Sequence, residues 1–166
     1  PSETDKTMTL LSLVTAKGPI AEVNWFAVHP TSMTYYNKLV SGDNKGYASM
    51  VIEAEQKTTY HRPDDFVALF AQTNCGDVTP NLNLNNTGPG KTDTESTQII
   101  GQRQAAVASQ LMKQRNEKVT GPIETRQTFV DFSTLVVSGE FTGQGDQPLL
   151  ASAFGYSLAA GSGEDG

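Results

Sequence analysis

Phe66-Val67-Ala68-Leu69-Phe70-Ala71-Gln72 runs directly into Thr73-Asn74-Cys75-Gly76-Asp77-Val78-Thr79-Pro80-Asn81. The first seven residues are almost wholly apolar and have strand length. They predict a β-strand in the middle of a covered sheet. The residues that follow are polar and turn-forming, so a long loop rich in Asn and Gly is expected over Thr73–Thr92. Sites in α/β sheets often lie at the C-terminal end of such a strand.

Working outward, Met8–Val14 reads as a buried strand, punctuated by Gly18-Pro19. Ile20–Val28 reads as a second strand, with Ala21, Val23, Trp25 and Ala27 alternating against Glu22 and Asn24. The short turn between them predicts an antiparallel hairpin, and His29-Pro30 ends the second strand. Asp43–Lys57 has helical spacing, with Tyr47, Met50, Val51 and Ala54 on one face and Asp43 or Asn44 as the N-cap. Thr94–Lys118 is the strongest helix, carrying a stripe of Ile99, Ile100, Ala106, Val107 and Leu111. Its acidic start and basic end suit the helix dipole, and Thr120-Gly121-Pro122 stops it.

Ile123–Val137 reads as one long or two short strands, with Val130, Phe132, Thr134 and Val136 sharing a face. Gly139–Gln147 is a turn, and Leu149–Leu158 is a further strand or a buried loop. The order predicts an α/β chain with a mixed sheet and flanking helices. It does not follow a regular βαβ series, so a doubly wound sheet is not expected.

The chain has 166 residues, a length that suits one domain. A net charge of -6 argues against a nucleic-acid binder, which normally carries a basic face. Charged residues make up 18%, below the usual quarter or so. The chain is therefore polar but weakly charged, unlike most disordered segments. One Cys excludes an internal disulfide framework and any Cys-rich zinc module. No apolar run approaches the roughly 20 residues of a membrane span.

Three motifs have both a bland and a functional reading. Gly88-Pro89-Gly90-Lys91-Thr92 looks like the end of a phosphate-binding loop, but Asn85 stands where that pattern needs its first Gly. It is read as a turn. Asn85-Asn86-Thr87 is an N-glycosylation sequon, which tilts slightly toward an extracellular setting. Thr79-Pro80 reads as an N-cap followed by the first helical residue. A hydroxyl at a helix N-terminus also suits a developing oxyanion.

His29, beside Trp25 and Phe26, is either a hydrogen-bonded structural residue or a metal ligand. A zinc site needs about three protein ligands, and only His61 and Cys75 add to the His and Cys donors. His61 reads as a surface loop residue.

Several stretches in register resemble the neutral ceramidases. They are Trp25-Phe26-Ala27-Val28-His29-Pro30-Thr31-Ser32-Met33, Asp43-Asn44-Lys45-Gly46-Tyr47-Ala48-Ser49, and the whole of Phe66 to Asn81. Ser96-Thr97-Gln98-Ile99-Ile100-Gly101, Val119-Thr120-Gly121-Pro122, Phe129-Val130-Asp131-Phe132-Ser133 and Gly155-Tyr156-Ser157-Leu158-Ala159-Ala160-Gly161 continue the similarity. The resemblance implies a zinc-dependent amidase that splits ceramide into sphingosine and a fatty acid. It also implies a secreted protein acting on a sphingolipid, with possible membrane-surface contact through that substrate. His29 matches the family's zinc-binding His in Trp-Phe-x-x-His. Thr79 matches the catalytic Ser of Gly-Asp-x-Ser-Pro-Asn, framed by Asn74, Gly76, Asp77, Pro80 and Asn81.

Two departures stand out. Thr replaces Ser at position 79, and its extra methyl restricts the rotamer and crowds an attack path. The family's other zinc ligands, an upstream His and a downstream Glu and Tyr, have no match. The family's immunoglobulin-like domain is also missing. Residues 1–166 are therefore expected to be part of a larger ceramidase-like catalytic domain, inactive in isolation. The alternative is a non-catalytic binding or structural module that kept the fold and lost the chemistry.

Overall fold

The computed structural model describes residues 4–76, 78–83, 85, 87–114 and 117–151. The chain divides into two compact units, one running to residue 116 and the other spanning Glu117–Gly161.

In the first unit, strands β1 (Thr9–Thr15) and β2 (Gly18–Trp25) form the expected antiparallel hairpin. The two residues Ala16-Lys17 turn the chain, and Gly18 at φ 124° takes a conformation that a side chain would oppose. The ladder shifts register at Leu13/Val14. Helix α1 (Asp43–Glu55) then crosses over to β3 (Val67–Ala71), which pairs with β2 in parallel. One βαβ unit is thus present, and the three-stranded sheet is mixed, in the order β1-β2-β3. Helix α2 (Asp93–Lys113) packs on α1 and β1.

Strand register assigns the faces, because direct partners point the same way. Leu10, Asn24 and Phe70 form one row and Ser12, Glu22 and Ala68 the next. This face meets the helices: Ala68 and Phe66 pack with Ala48, Ile52, Ala105, Ala108 and Met112 as the core. The opposite face holds Leu11, Val23 and Leu69, flanked by Leu13, Ala21 and Val67. Glu22 and Asn24 are fully buried, while Leu11, Leu13, Val67 and Leu69 are substantially exposed. The Asn24 amide donates to Glu22 Oε1 at 2.9 Å, which offsets part of the cost of burying both. Phe66–Gln72 therefore differs from the reading as the middle of a covered sheet. Its strand lies at a sheet edge, with one face open.

Both helices are rotated from the faces that hydrophobicity suggests. In α1 the buried residues are Asp43, Asn44, Lys45, Ala48 and Ile52, while Met50 and Ala54 are exposed. In α2 they include Ser96, Thr97, Ile100, Gly101, Gln104, Ala105, Ala108 and Met112, while Ala106 and Val107 are exposed. The reason is close approach. A Cβ on Gly101 would lie 2.7 Å from the Asn44 carbonyl oxygen and 2.8 Å from the Tyr47 ring. At Gly101 the seam has room for a hydrogen and not for a side chain. Gln104 Nε2 donates to Asn44 Oδ1 across it at 3.0 Å.

The helix starts also differ from expectation. Gly42 precedes α1 without a side-chain cap, so neither Asp43 nor Asn44 serves as one. Thr92 caps α2, accepting from Glu95 N, and the helix ends at Lys113.

In the second unit, of the one long or two short strands read over Ile123–Val137, only Val136–Val137 is a strand. The unit has a 3-10 turn at Phe132–Thr134 and a short helix α3 (Gly139–Thr142). A two-residue bridge joins β4 (Val136–Val137) to β5 (Gln147–Pro148). Alternation alone did not make a strand there: among the described residues, no strand pairs with residues 123–131. None of residues 117–151 is buried. The proposed element at Leu149–Leu158 lies mostly outside the described residues, as does the motif starting at Gly155.

The helix seam yields a paired expectation. Gly101→Ala should lower stability by about 1–3 kcal/mol through overpacking. Gly46→Ala, whose Cβ would meet nothing within 4 Å, should raise it by roughly 0.5–1 kcal/mol. Urea melts of both variants check this, and shifts of the same sign would exclude the close seam.

Candidate active site

The parallel pair β2-β3 brings two chain segments together where both strands end. Phe26 N donates to Ala71 O at 3.2 Å, and Val28 N reaches Gln72 Oε1 at 3.4 Å. One residue further, His29 N donates to Val78 O at 3.1 Å. The His29 ring meets the same oxygen, with Nδ1 at 2.9 Å. A carbonyl only accepts, so Nδ1 carries the hydrogen of this bond, and in the neutral tautomer that leaves the lone pair on Nε2. Nε2 lies 3.8 Å from Cys75 Sγ.

The segment that carries Val78 is tightly wound. Cys75 N donates to Thr73 O at 2.8 Å and Val78 N to Cys75 O at 2.7 Å, with Gly76 at φ 47° between them. Thr79 follows immediately. Its hydroxyl accepts from Asn81 N at 3.1 Å, the bond that an N-cap makes to its second helical residue. No helix follows, however: residues 80–83 form bends and a turn, and Leu82 N donates to Pro80 O. The helix start read at Thr79-Pro80 is therefore corrected to an isolated hydroxyl turn. The oxyanion argument based on a helix dipole is lost with it. The run Asn81-Leu82-Asn83 before Gly88-Pro89-Gly90 favours turns over helix.

Lys45, from α1, ties the two strand ends together. Its Nζ donates to Phe26 O at 2.8 Å and Ala71 O at 3.1 Å, and lies 5.8 Å from the Phe26 ring centre. Burial pushes its ammonium down from 10.5 to about 8, partly offset by the nearby Cys75 thiol. Asn44 is the preceding residue of α1, and its amide donates to His29 O and Ser32 Oγ, each at 3.0 Å. Asp43 accepts from Ser32 N and Met33 N, while Asp93 at the start of α2 accepts from Thr34 N and its hydroxyl. Three consecutive residues of one helix thus fix the chain on both sides of His29. Sequence reasoning assigned Asp43 and Asn44 to capping and gave Lys45 no role. Lys45 was missed because the buried face of α1 runs through Ala48 and Ile52, not through the apolar stripe of Tyr47, Met50, Val51 and Ala54.

The remaining candidates lie elsewhere. His61 is exposed in a loop held by Asp65, as expected. Asn85 of the sequon is exposed, while Asn86 lies outside the described residues. The Gly88–Thr92 stretch leads directly into α2, but its donors are already engaged. Gly90 N bonds Ser96 Oγ and Lys91 N bonds Glu95 Oε2, so it forms a helix start and not a phosphate cradle. A shallow groove of about 490 Å3, lined by Tyr47, Gln98, Ile99, Gln102, Arg103 and Ala106, shares no residue with the His29 cluster. Among the described residues, no group of three or more His, Cys, Asp or Glu could hold a metal ion. The donor chemistry at His29 nevertheless fits one position of a zinc shell. A metal-binding imidazole usually donates its other ring hydrogen to a carbonyl or carboxylate, as His29 does to Val78.

Candidate residues gathered where parallel strands end define the site region of an α/β protein. The comparisons with known proteins narrow this. The sequence profile described as "Neutral/alkaline non-lysosomal ceramidase, N-terminal" matches residues 1–166, and the chain belongs to that family. A neutral ceramidase of Pseudomonas aeruginosa is 46% identical over 164 residues, covering 98% of this chain and 24% of that protein. Neutral ceramidase B of Dictyostelium discoideum is 38% identical over 190 residues, covering 96% of this chain and 26% of that protein. A ceramidase solved in complex with C2 superposes with a TM-score of 0.80 at 46% identity, over 96% of this chain and 24% of that one. The crystal structure of neutral ceramidase from Pseudomonas aeruginosa gives 0.74 at 43% identity, over 93% and 24%. The chain thus spans about a quarter of the length of these relatives.

Lys45→Met should cost about 1–3 kcal/mol at neutral pH, because Phe26 O and Ala71 O each lose one of two donors. The folded chain releases this proton near pH 8 and the unfolded chain near 10.5. Between those values the unfolded chain binds more protons, so wild-type stability should rise with pH relative to the variant. Denaturant titrations across this window test it, and a difference independent of pH would contradict a buried Lys45 charge.

Proposed function

We propose that this chain forms part of the catalytic domain of a secreted, zinc-dependent ceramidase that hydrolyses the N-acyl bond of ceramide. His29 serves as one zinc ligand and Thr79 as the catalytic hydroxyl. Family membership supports the class of reaction. The observation that carries the residue roles is the Val78 carbonyl. It accepts both the main-chain and the ring hydrogen of His29, and Thr79 is the next residue. One oxygen therefore orients the donor nitrogen and tethers the hydroxyl beside it.

Bound zinc would supply Lewis-acid polarisation of the amide carbonyl or a bound water of lowered pKa. His29 contributes Nε2, held in the correct tautomer by its Nδ1–H bond to Val78. Thr79 either attacks the carbonyl carbon or orients water and substrate against it. The Asn81 main-chain N–H bonds Thr79 Oγ1 and restricts its rotamer. The remaining zinc ligands come from polypeptide outside residues 1–166.

In a ceramidase-length polypeptide carrying this segment, His29→Ala should reduce bound zinc to a small fraction of wild type, measured by elemental analysis. Unchanged zinc would remove His29 from the metal site. Thr79→Ala should lower kcat for ceramide hydrolysis on the order of 100-fold or more with little change in melting temperature. Thr79→Ser should retain or raise the rate. A fall in melting temperature with activity preserved would make Thr79 a turn residue only.

A further inference from the structure

The sheet has its polarity reversed relative to solvent. A sheet with one face in water normally turns its polar side chains outward. Here Glu22 and Asn24, both 0% exposed, face the helices. The open face carries Leu11, Leu13, Val67 and Leu69 at 40, 43, 45 and 53% exposure, with half-buried Val23 and Trp25 between them. Cross-strand register places Leu11, Val23 and Leu69 in one row and Leu13, Ala21 and Val67 in the next. Neither row contains a charged residue. An uncharged apolar surface of this kind marks a contact face.

We propose that this face is an intramolecular docking surface, covered by the polypeptide that ceramidase-length proteins carry outside the matched stretch. The inference rests on family membership and not on the amidase chemistry. Three observations select this occupant. The matched relatives are about four times as long, so ample chain is available to cover the face. The β2-β3 pair is parallel, and parallel strands are characteristically covered on both faces. The second unit, taken by itself, also buries none of its described residues, with Phe129 at 91% and Phe141 at 81% exposure. Apolar surface is thus in excess in two separate places, as in a segment that shares a larger core. An anionic lipid surface is a poor fit, because the chain carries a net charge of -6 and the face has no basic residue.

The test compares the 166-residue chain with a chimera in which it replaces the matching quarter of the Pseudomonas aeruginosa enzyme. Leu69→Cys is introduced into both on a Cys75→Ser background, and maleimide labelling of that peptide is followed by mass spectrometry. Labelling should be fast in the 166-residue chain and on the order of 100-fold slower in the chimera. Leu69→Asp should leave the melting temperature of the 166-residue chain nearly unchanged and abolish soluble chimera. Chimera yield that is lost only with the position 69 substitutions also supports the proposal. If the parent chimera does not fold, the remaining three quarters of the Pseudomonas aeruginosa enzyme, added in trans, should slow labelling of the 166-residue chain; unchanged labelling would overturn the proposal. Equal labelling rates in the two contexts would overturn it. So would protection of the 166-residue chain by its own dimerisation, or by neutral lipid vesicles, while the chimera stays reactive.

Discussion

The Lys45 ammonium holds the last main-chain carbonyls of two parallel strands, and the site region is built on that clamp. Each of these carbonyls also accepts one main-chain hydrogen, Phe26 O from Val28 N and Ala71 O from Phe26 N. Lys45 supplies a second donor to each, using lone pairs that would otherwise be left without a partner from the helix. A long side chain from the crossover helix reaches both, so helix and strands are locked at the point where each strand gives way to a site loop. The cost is a desolvated charge, visible as an ammonium held below its ordinary range. Two carbonyl hydrogen bonds and the Phe26 ring offset that cost.

The clamp depends in turn on how closely the helices approach. Gly101 allows α2 to lie against the Asn44 carbonyl, and Gln104 completes the Asn44 side chain. Asn44 then reaches the His29 carbonyl. A continuous path of contacts therefore runs from the middle of α2 through the start of α1 to the main chain of His29. The site is positioned by polar groups buried inside the helix layer, and the apolar core of Ile52, Phe66 and Met112 supports it from further along the helices.

Much of the fold was legible in the sequence, and the errors share a cause. The hairpin, both helices and the strand before Asn74 follow from turn residues and periodicity. The helix faces were misjudged because hydrophobicity marks a conventional core, whereas these faces bury small and amide side chains beside Ile52, Ile100 and Met112. Ala106 and Val107 look like core residues but lie exposed, while Ser96 and Gln104 look like surface residues but are buried. The same mistake at the level of the sheet assigned β3 a cover that the described residues of the first unit do not provide. At the site, local chemistry could frame His29 and Thr79 only as alternatives. Their meeting through Val78 depends on parallel pairing between segments 49 residues apart, which no local pattern encodes.

Val78 contributes to the site through its carbonyl oxygen, an atom that every amino acid possesses. The imidazole is therefore anchored by something that substitution at this position does not remove. The anchor constrains the path of the backbone and leaves the choice of side chain open. In the family pattern Gly-Asp-x-Ser-Pro-Asn, Val78 occupies the position written x. A site can thus hold its geometry strictly while the residue responsible drifts, and an inventory of invariant side chains would overlook the group that orients the His29 ring.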